Sequence, residues 1–200
     1  MNIFFLDADP VKAAQYQCNK HVVKLVTESA QLLSTCNHLR SKVELPDFIY
    51  RKTHENHPCN KWIRTNIFAY SWLCKHAIAL CDEYRYRYNK IHKSQQVIEW
   101  CWHNVHNVKF DSAECIIPYG VKFTNKNLLR YLNPPQCIPE EFKIEDDVVQ
   151  AYRNAYIGDK MKTMDCRWTK RQEPYWITFR EKAEATDCVR KEMEIRNEDR

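Results

Sequence analysis

Two glycines, Gly120 and Gly158, serve the whole 200-residue chain. A phosphate-cradling loop or a dinucleotide-binding turn needs several, because only a residue without a Cβ lets backbone approach a phosphate closely. Neither can be assembled here. Architectures of many short strands also draw on glycine at their turns, so a β sandwich or barrel is disfavoured. What remains is a mainly α protein. Hydrophobic residues make up 44% and aromatics 12%, enough for a folded chain with a substantial core.

The hydrophobic spacing predicts a compact single-domain helical bundle with two long helices and an irregular Pro-rich segment. Residues 2–6, Asn-Ile-Phe-Phe-Leu, read as a short extended run. Asp9 and Pro10 are a good cap and first position for a helix reaching about residue 38. Its core stripe is Cys18, Val22, Leu25, Ser29, Leu32 and Cys36. Beside that stripe His21, Lys24, Glu28 and Gln31 share one polar side. A second long helix is expected over about 61–88 with Asn60 as cap. A third is expected over 95–106 behind Ser94, and a fourth over 147–163 behind Asp146. Residues 107–144 are irregular and Pro-rich. Residues 1–180 are read as one catalytic or nucleic-acid-binding domain, and 181–200 as a charged extension.

The net charge of +5 suits a nucleic-acid or nucleotide partner and equally an ordinary soluble surface. None of the ten cysteines forms a Cys-x-x-Cys pair, which argues against a zinc knuckle or ribbon. The first residues carry no basic, then apolar, export signal, and no apolar run is long enough to span a membrane. The expectation is an intracellular protein, cytoplasmic or nuclear, with reduced cysteines, no membrane partner and a monomeric state.

Three groups of residues could carry chemistry. Glu28, among Lys24 and His21, could stay ionised and act as a general base or electrostatic stabiliser. The alternative is an i,i+4 surface charge pattern. His54-x-x-His57, with Glu28 and His92 as distant partners, could hold iron, zinc or manganese. The alternative is a capped turn, since Asn56-His57-Pro58 can begin a helix. Finally, Arg167–Trp176 and Tyr84–Tyr88 mix cations with rings, suiting either phosphates and unstacked bases or a core edge with snorkelling cations.

Three blocks together resemble the pyrimidine-dimer DNA glycosylase family, the endonuclease V type of phages, viruses and bacteria. They are KHVVKLVTESAQLL (20–33), NHPCNKWIR (56–64) and YSWLCKHAIALCDEYRYRYNKIHKS (70–94). RWTKRQEPYW (167–176) resembles the family's aromatic C-terminal region more weakly. The resemblance implies a compact helical enzyme without a metal cofactor that binds duplex DNA and rotates a nucleotide out of the stack. An N-terminal α-amine attacks the sugar C1′ to form a Schiff base, and a carboxylate stabilises the charge that develops. By position Glu28 is that carboxylate, with His57 and the amine at Asn2 as catalytic partners. His21, Lys24, Asn56, Arg64, His92, Arg153, Arg171 and Trp176 are the expected substrate contacts. Two departures stand out. Asn2 is larger than the family's usual residue there, so retention of Met1 is expected. Thr27 also stands beside the glutamate where the family has arginine. The competing readings are a metal-dependent enzyme using Glu28, His54, His57 and His92, and a non-catalytic module binding nucleic acid or a host protein.

Overall fold

The computed structural model describes residues 1–112 and 132–177. The middle of the Pro-rich segment and the expected boundary at residue 180 lie outside the described residues. The rest is mainly helical. The described residues contain no strand, only an isolated bridge between Ser41 and Val108. Six helices organise them: α1 (Pro10–Tyr16), α2 (Asn19–Arg40), α3 (Pro58–Thr65), α4 (Ile67–Tyr88), α5 (Gln95–His103) and α6 (Val148–Ala155). Helix α4 packs against α1, α2, α3 and α5, and forms the spine of the domain. None of the described helices is long and apolar enough to cross a membrane.

Both long helices expected from periodicity are broken. The first stops at Tyr16 and restarts at Asn19. Asp9 caps α1 as expected, accepting from the Val11 and Lys12 amides. The break is held by residues far away in the chain. Arg87 donates to the Gln15 and Gln17 carbonyls, and the Cys18 amide donates to the Tyr156 hydroxyl. Those partners satisfy the backbone groups that a helix end leaves open. The second helix is split at Asn66, whose side chain accepts from the Phe68 and Ala69 amides and starts α4. His57, not Asn60, caps α3, its Nδ1 accepting from Cys59 N. Ser94 does precede α5, but its hydroxyl pairs with Tyr50 instead of capping. Asp147, not Asp146, caps α6. That helix runs on through a π turn at Tyr156–Lys160 to a last turn at Met161–Thr163.

The N-terminal run is almost wholly buried. Ile3, Phe4, Phe5 and Leu6 are each at most 4% exposed. Phe5 packs between Trp62, Trp72 and Tyr152. A buried segment outside helix or sheet must find other hydrogen-bond partners. Side chains supply them: Gln17 donates to the Phe4 carbonyl, Arg153 to Leu6 and Trp72 to Ala8. The chain's first residues are thereby fixed between α2 and α6.

Candidate active site

The Asn2 amide nitrogen lies 2.9 Å from Oε2 of Glu28. This joins the first residues of the chain to the middle of α2. All polar atoms of the Asn2 side chain are engaged as well. Its Nδ2 donates to the Cys137 carbonyl at 2.7 Å, and its Oδ1 accepts from the Ile3 and Phe4 amides. The segment is therefore held at both edges. Phe4 follows with φ of 52°, a left-handed conformation that costs a non-glycine residue on the order of 1–3 kcal/mol. The ring compensates, stacking on His21 at 4.5 Å with its edges against Tyr152 and Tyr156.

Glu28 is mostly buried, with 13% of its side chain exposed, and Lys24 is 3.3 Å away and largely in solvent. The pair closes one side of a cavity of about 370 Å³. Met1, Asn2, Phe4 and His21 line it from the N-terminal side, and Cys137, Asp159 and Lys160 face them. Asp159 and Lys160 pair at 2.7 Å on the π turn. Gly158 lets that turn close: a Cβ there would lie 2.5 Å from the Phe142 ring. Burial, aided by Lys24 and Lys160, pushes His21 down to about 4, so its imidazole is neutral near pH 7. The Tyr156 hydroxyl bridges His21 Nδ1 and the Cys18 amide. His21 is thus a fixed neutral wall, not a cation for phosphate.

His57 adjoins this site. Burial and the N-terminal ammonium lower its pKa, opposed by Glu28 and by the hydrogen bond that the imidazole donates to the Met1 backbone. The structure therefore brings together Met1, Asn2, Lys24, Glu28, His21 and His57, residues 56 positions apart in the sequence. Sequence reasoning missed the opposite wall, Cys137 and Asp159–Lys160. Those residues lie in a Pro-rich stretch and past a helix end, where no periodicity marks them.

Several expected substrate contacts are used elsewhere. Arg153 is 7% exposed, donates to the Leu6 carbonyl and pairs with Asp7 at 3.2 Å. Tyr16, Tyr175 and Trp176 surround its guanidinium. Trp176 itself is 8% exposed and packs on Tyr16 and Tyr156. Arg171 grips both oxygens of buried Glu83 and lies over the Tyr86 ring. Arg64 donates to the Glu55 carbonyl and pins the loop before α3. His92 meets Tyr84 and accepts from the Ser94 amide at the start of α5. Asn56 is exposed on the loop and does not line the cavity. In each of the paired cases a nearby carbonyl, carboxylate or ring takes the group that a substrate would otherwise use.

The metal set His54, His57, His92 and Glu28 is not assembled. Among the described residues, the His, Cys, Asp or Glu side chains close enough to share an ion are His57, Cys59 and Cys137. A larger groove of about 510 Å³ lies beside α1 and α4. Of its charged residues, Glu83 and Arg171 pair with each other and Lys75 lies over the Trp102 ring, whereas the smaller cavity gathers the residues next to the Asn2–Glu28 contact.

Residues 1–96 match the family model described as pyrimidine dimer DNA glycosylase. The match covers the N-terminal segment, α1 to α4, Glu28 and His57, and stops short of the wall formed by Cys137, Asp159 and Lys160. No curated protein and no solved structure matches the chain.

Proposed function

We propose that this protein is a DNA glycosylase that also cleaves the resulting abasic site, acting on damaged or modified pyrimidines. The family match over residues 1–96 supports a DNA-repair function of the glycosylase type in general. The observation that carries the finer reading is the 2.9 Å contact between the Asn2 nitrogen and Glu28, on the wall of a cavity that Met1 also lines. In this reading an α-amine at residue 1 or 2 attacks C1′ of the extruded nucleotide. The N–C1′ bond forms as the glycosidic bond breaks, and the base leaves with a proton. An α-amine suits this role because its pKa, about 8, leaves a usable neutral fraction near pH 7.

Glu28 then has two tasks. Its carboxylate stabilises the positive charge that develops on the sugar, a contribution that is large in a site shielded from water. It also takes the C2′ proton during elimination of the 3′ phosphate. Lys24, close to Glu28 and open to solvent, suits a flanking phosphate. Removal of Met1 would make the Asn2 nitrogen the amine already paired with Glu28. Retention of Met1 would put its amine beside His57, at the edge of the same cavity.

The test is borohydride trapping on duplex DNA holding a thymine dimer or an abasic site. A covalent adduct is expected, and the mass of its peptide identifies which residue attacked. Glu28→Gln should slow adduct formation and nicking by about 100-fold or more while leaving DNA binding intact. Binding without any adduct or nicking would reject lyase chemistry. If no free base is released either, the protein is a non-catalytic DNA-binding module.

A further inference from the structure

We propose that His57, Cys59 and Cys137 form a binding site for a thiophilic divalent ion of the zinc class. This goes beyond the DNA chemistry and rests on none of it. The ligand atoms of the three residues lie within 4.8 Å of one another. The two sulfurs are 3.6 Å apart, too far for a disulfide bond. That spacing matches a metal: two thiolates about 2.3 Å from one tetrahedral zinc stand about 3.8 Å apart. The donor set, two thiolates and an imidazole, is one that zinc prefers, and it leaves one position open.

The three residues are held by different parts of the fold. His57 and Cys59 occupy the cap and first turn of α3, a geometry fixed by Pro58 between them. Cys137 is fixed from both sides of its peptide. Its amide donates to the Tyr152 hydroxyl at 3.0 Å, and its carbonyl accepts from Asn2 at 2.7 Å. One ring N–H of the imidazole donates to the Met1 backbone, an outer partner, while Nδ1 accepts from the Cys59 amide at 3.2 Å and exchanges that bond for the ion on binding. Metal-bound histidines commonly hold their second ring nitrogen this way. Binding takes two thiols to two thiolates and releases two protons, so affinity should rise with pH. A bound ion would clamp α3 to residue 137, and through Asn2 to the first residues of the chain.

The experiment titrates the purified full-length protein, reduced and stripped of metal, with cobalt(II), then displaces the cobalt with zinc. One equivalent should give a near-ultraviolet sulfur-to-cobalt charge-transfer band and a tetrahedral visible spectrum. Zinc should remove both and raise the melting temperature. Cys137→Ser, at a half-exposed position, should weaken binding by about two orders of magnitude or more and abolish the zinc-induced shift. Helical circular dichroism verifies that the variant still folds. Glu28→Gln should leave the spectrum unchanged, which separates this site from the DNA chemistry. Absence of a charge-transfer band in the wild type overturns the proposal. So does a band that survives Cys137→Ser, which would put the metal on other thiols.

Discussion

Asn2 and Arg153 show how little a residue's type says about its work. Asn2 is bulkier than the small residue the resemblance leads one to expect, and its extra atoms are all used. They tie the N-terminal segment to the Cys137 carbonyl and to its own next two amides. Arg153 has the chemistry of a phosphate contact, yet it is spent on the Leu6 carbonyl and Asp7 inside the protein. Lys24 is the contrasting case, close to Glu28 with 68% of its side chain in solvent. These placements predict opposite phenotypes. Lys24→Ala should leave stability within about 0.5 kcal/mol and lower the magnitude of the salt slope of DNA binding by about 1. Arg153→Ala should cost about 3–5 kcal/mol by leaving the buried Leu6 carbonyl without its donor, removing the cation beside Asp7 and emptying the space among Tyr16, Tyr175 and Trp176. Urea unfolding and binding at several salt concentrations separate the two.

At the level of elements, the break between α1 and α2 decides where Glu28 points. A continuous helix from Pro10 would be a rigid rod, and periodicity supports one. The chain stops instead, because Arg87 on α4 collects the carbonyls of Gln15 and Gln17. Arg87 is itself neutralised by Glu83, which also takes Arg171. Both side chains of the Glu83–Arg87 pair are almost wholly buried, so neither charge can fall back on water. Glu83→Gln should therefore destabilise the protein by about 3–5 kcal/mol, read as a lower denaturation midpoint with an unchanged slope. The basic and aromatic runs at 84–88 and 167–176 meet at this point. Tyr86 donates to the Lys170 carbonyl, and Arg171 covers the Tyr86 ring. Their composition suits nucleic acid, but the structure spends them on joining the C-terminal strap to α4.

Across the whole molecule, burial of histidine links stability to acidity. His21 and His76 are both pushed from 6.5 down to about 4, chiefly by desolvation. Between those values the unfolded chain binds protons that the folded one refuses. Stability must therefore be fully present above about pH 6.5 and fall as the pH drops toward 4. Each histidine contributes up to about 3 kcal/mol to that loss. Burial shifts His57 and His92 the same way. Urea unfolding at pH 7.5, 6 and 5 should show a steadily falling midpoint. A flat profile would mean that these imidazoles are accessible to water.

The sequence by itself determined the class of fold. Scarce glycine removed the phosphate-loop and β alternatives, and the stripe from Cys18 to Cys36 is buried as its spacing requires. The family resemblance, more than spacing, pointed to Glu28, Lys24 and His57, and the family match over residues 1–96 covers the stretch that holds them. Helix ends were legible only where the cap is local, as at Asp9. Where a partner dozens of residues away holds the break, as Arg87 does at Gln17, short-range pattern contains no trace of it. The site's geometry has the same cause. Cys137 is 78 residues from Cys59 and 135 from Asn2, yet it touches both. Only packing of the N-terminal run between α2 and α6 puts an amide on Glu28 and two thiols beside a histidine. Such contacts belong to the folded chain, because the entropy of bringing distant segments together is overcome only by the core as a whole.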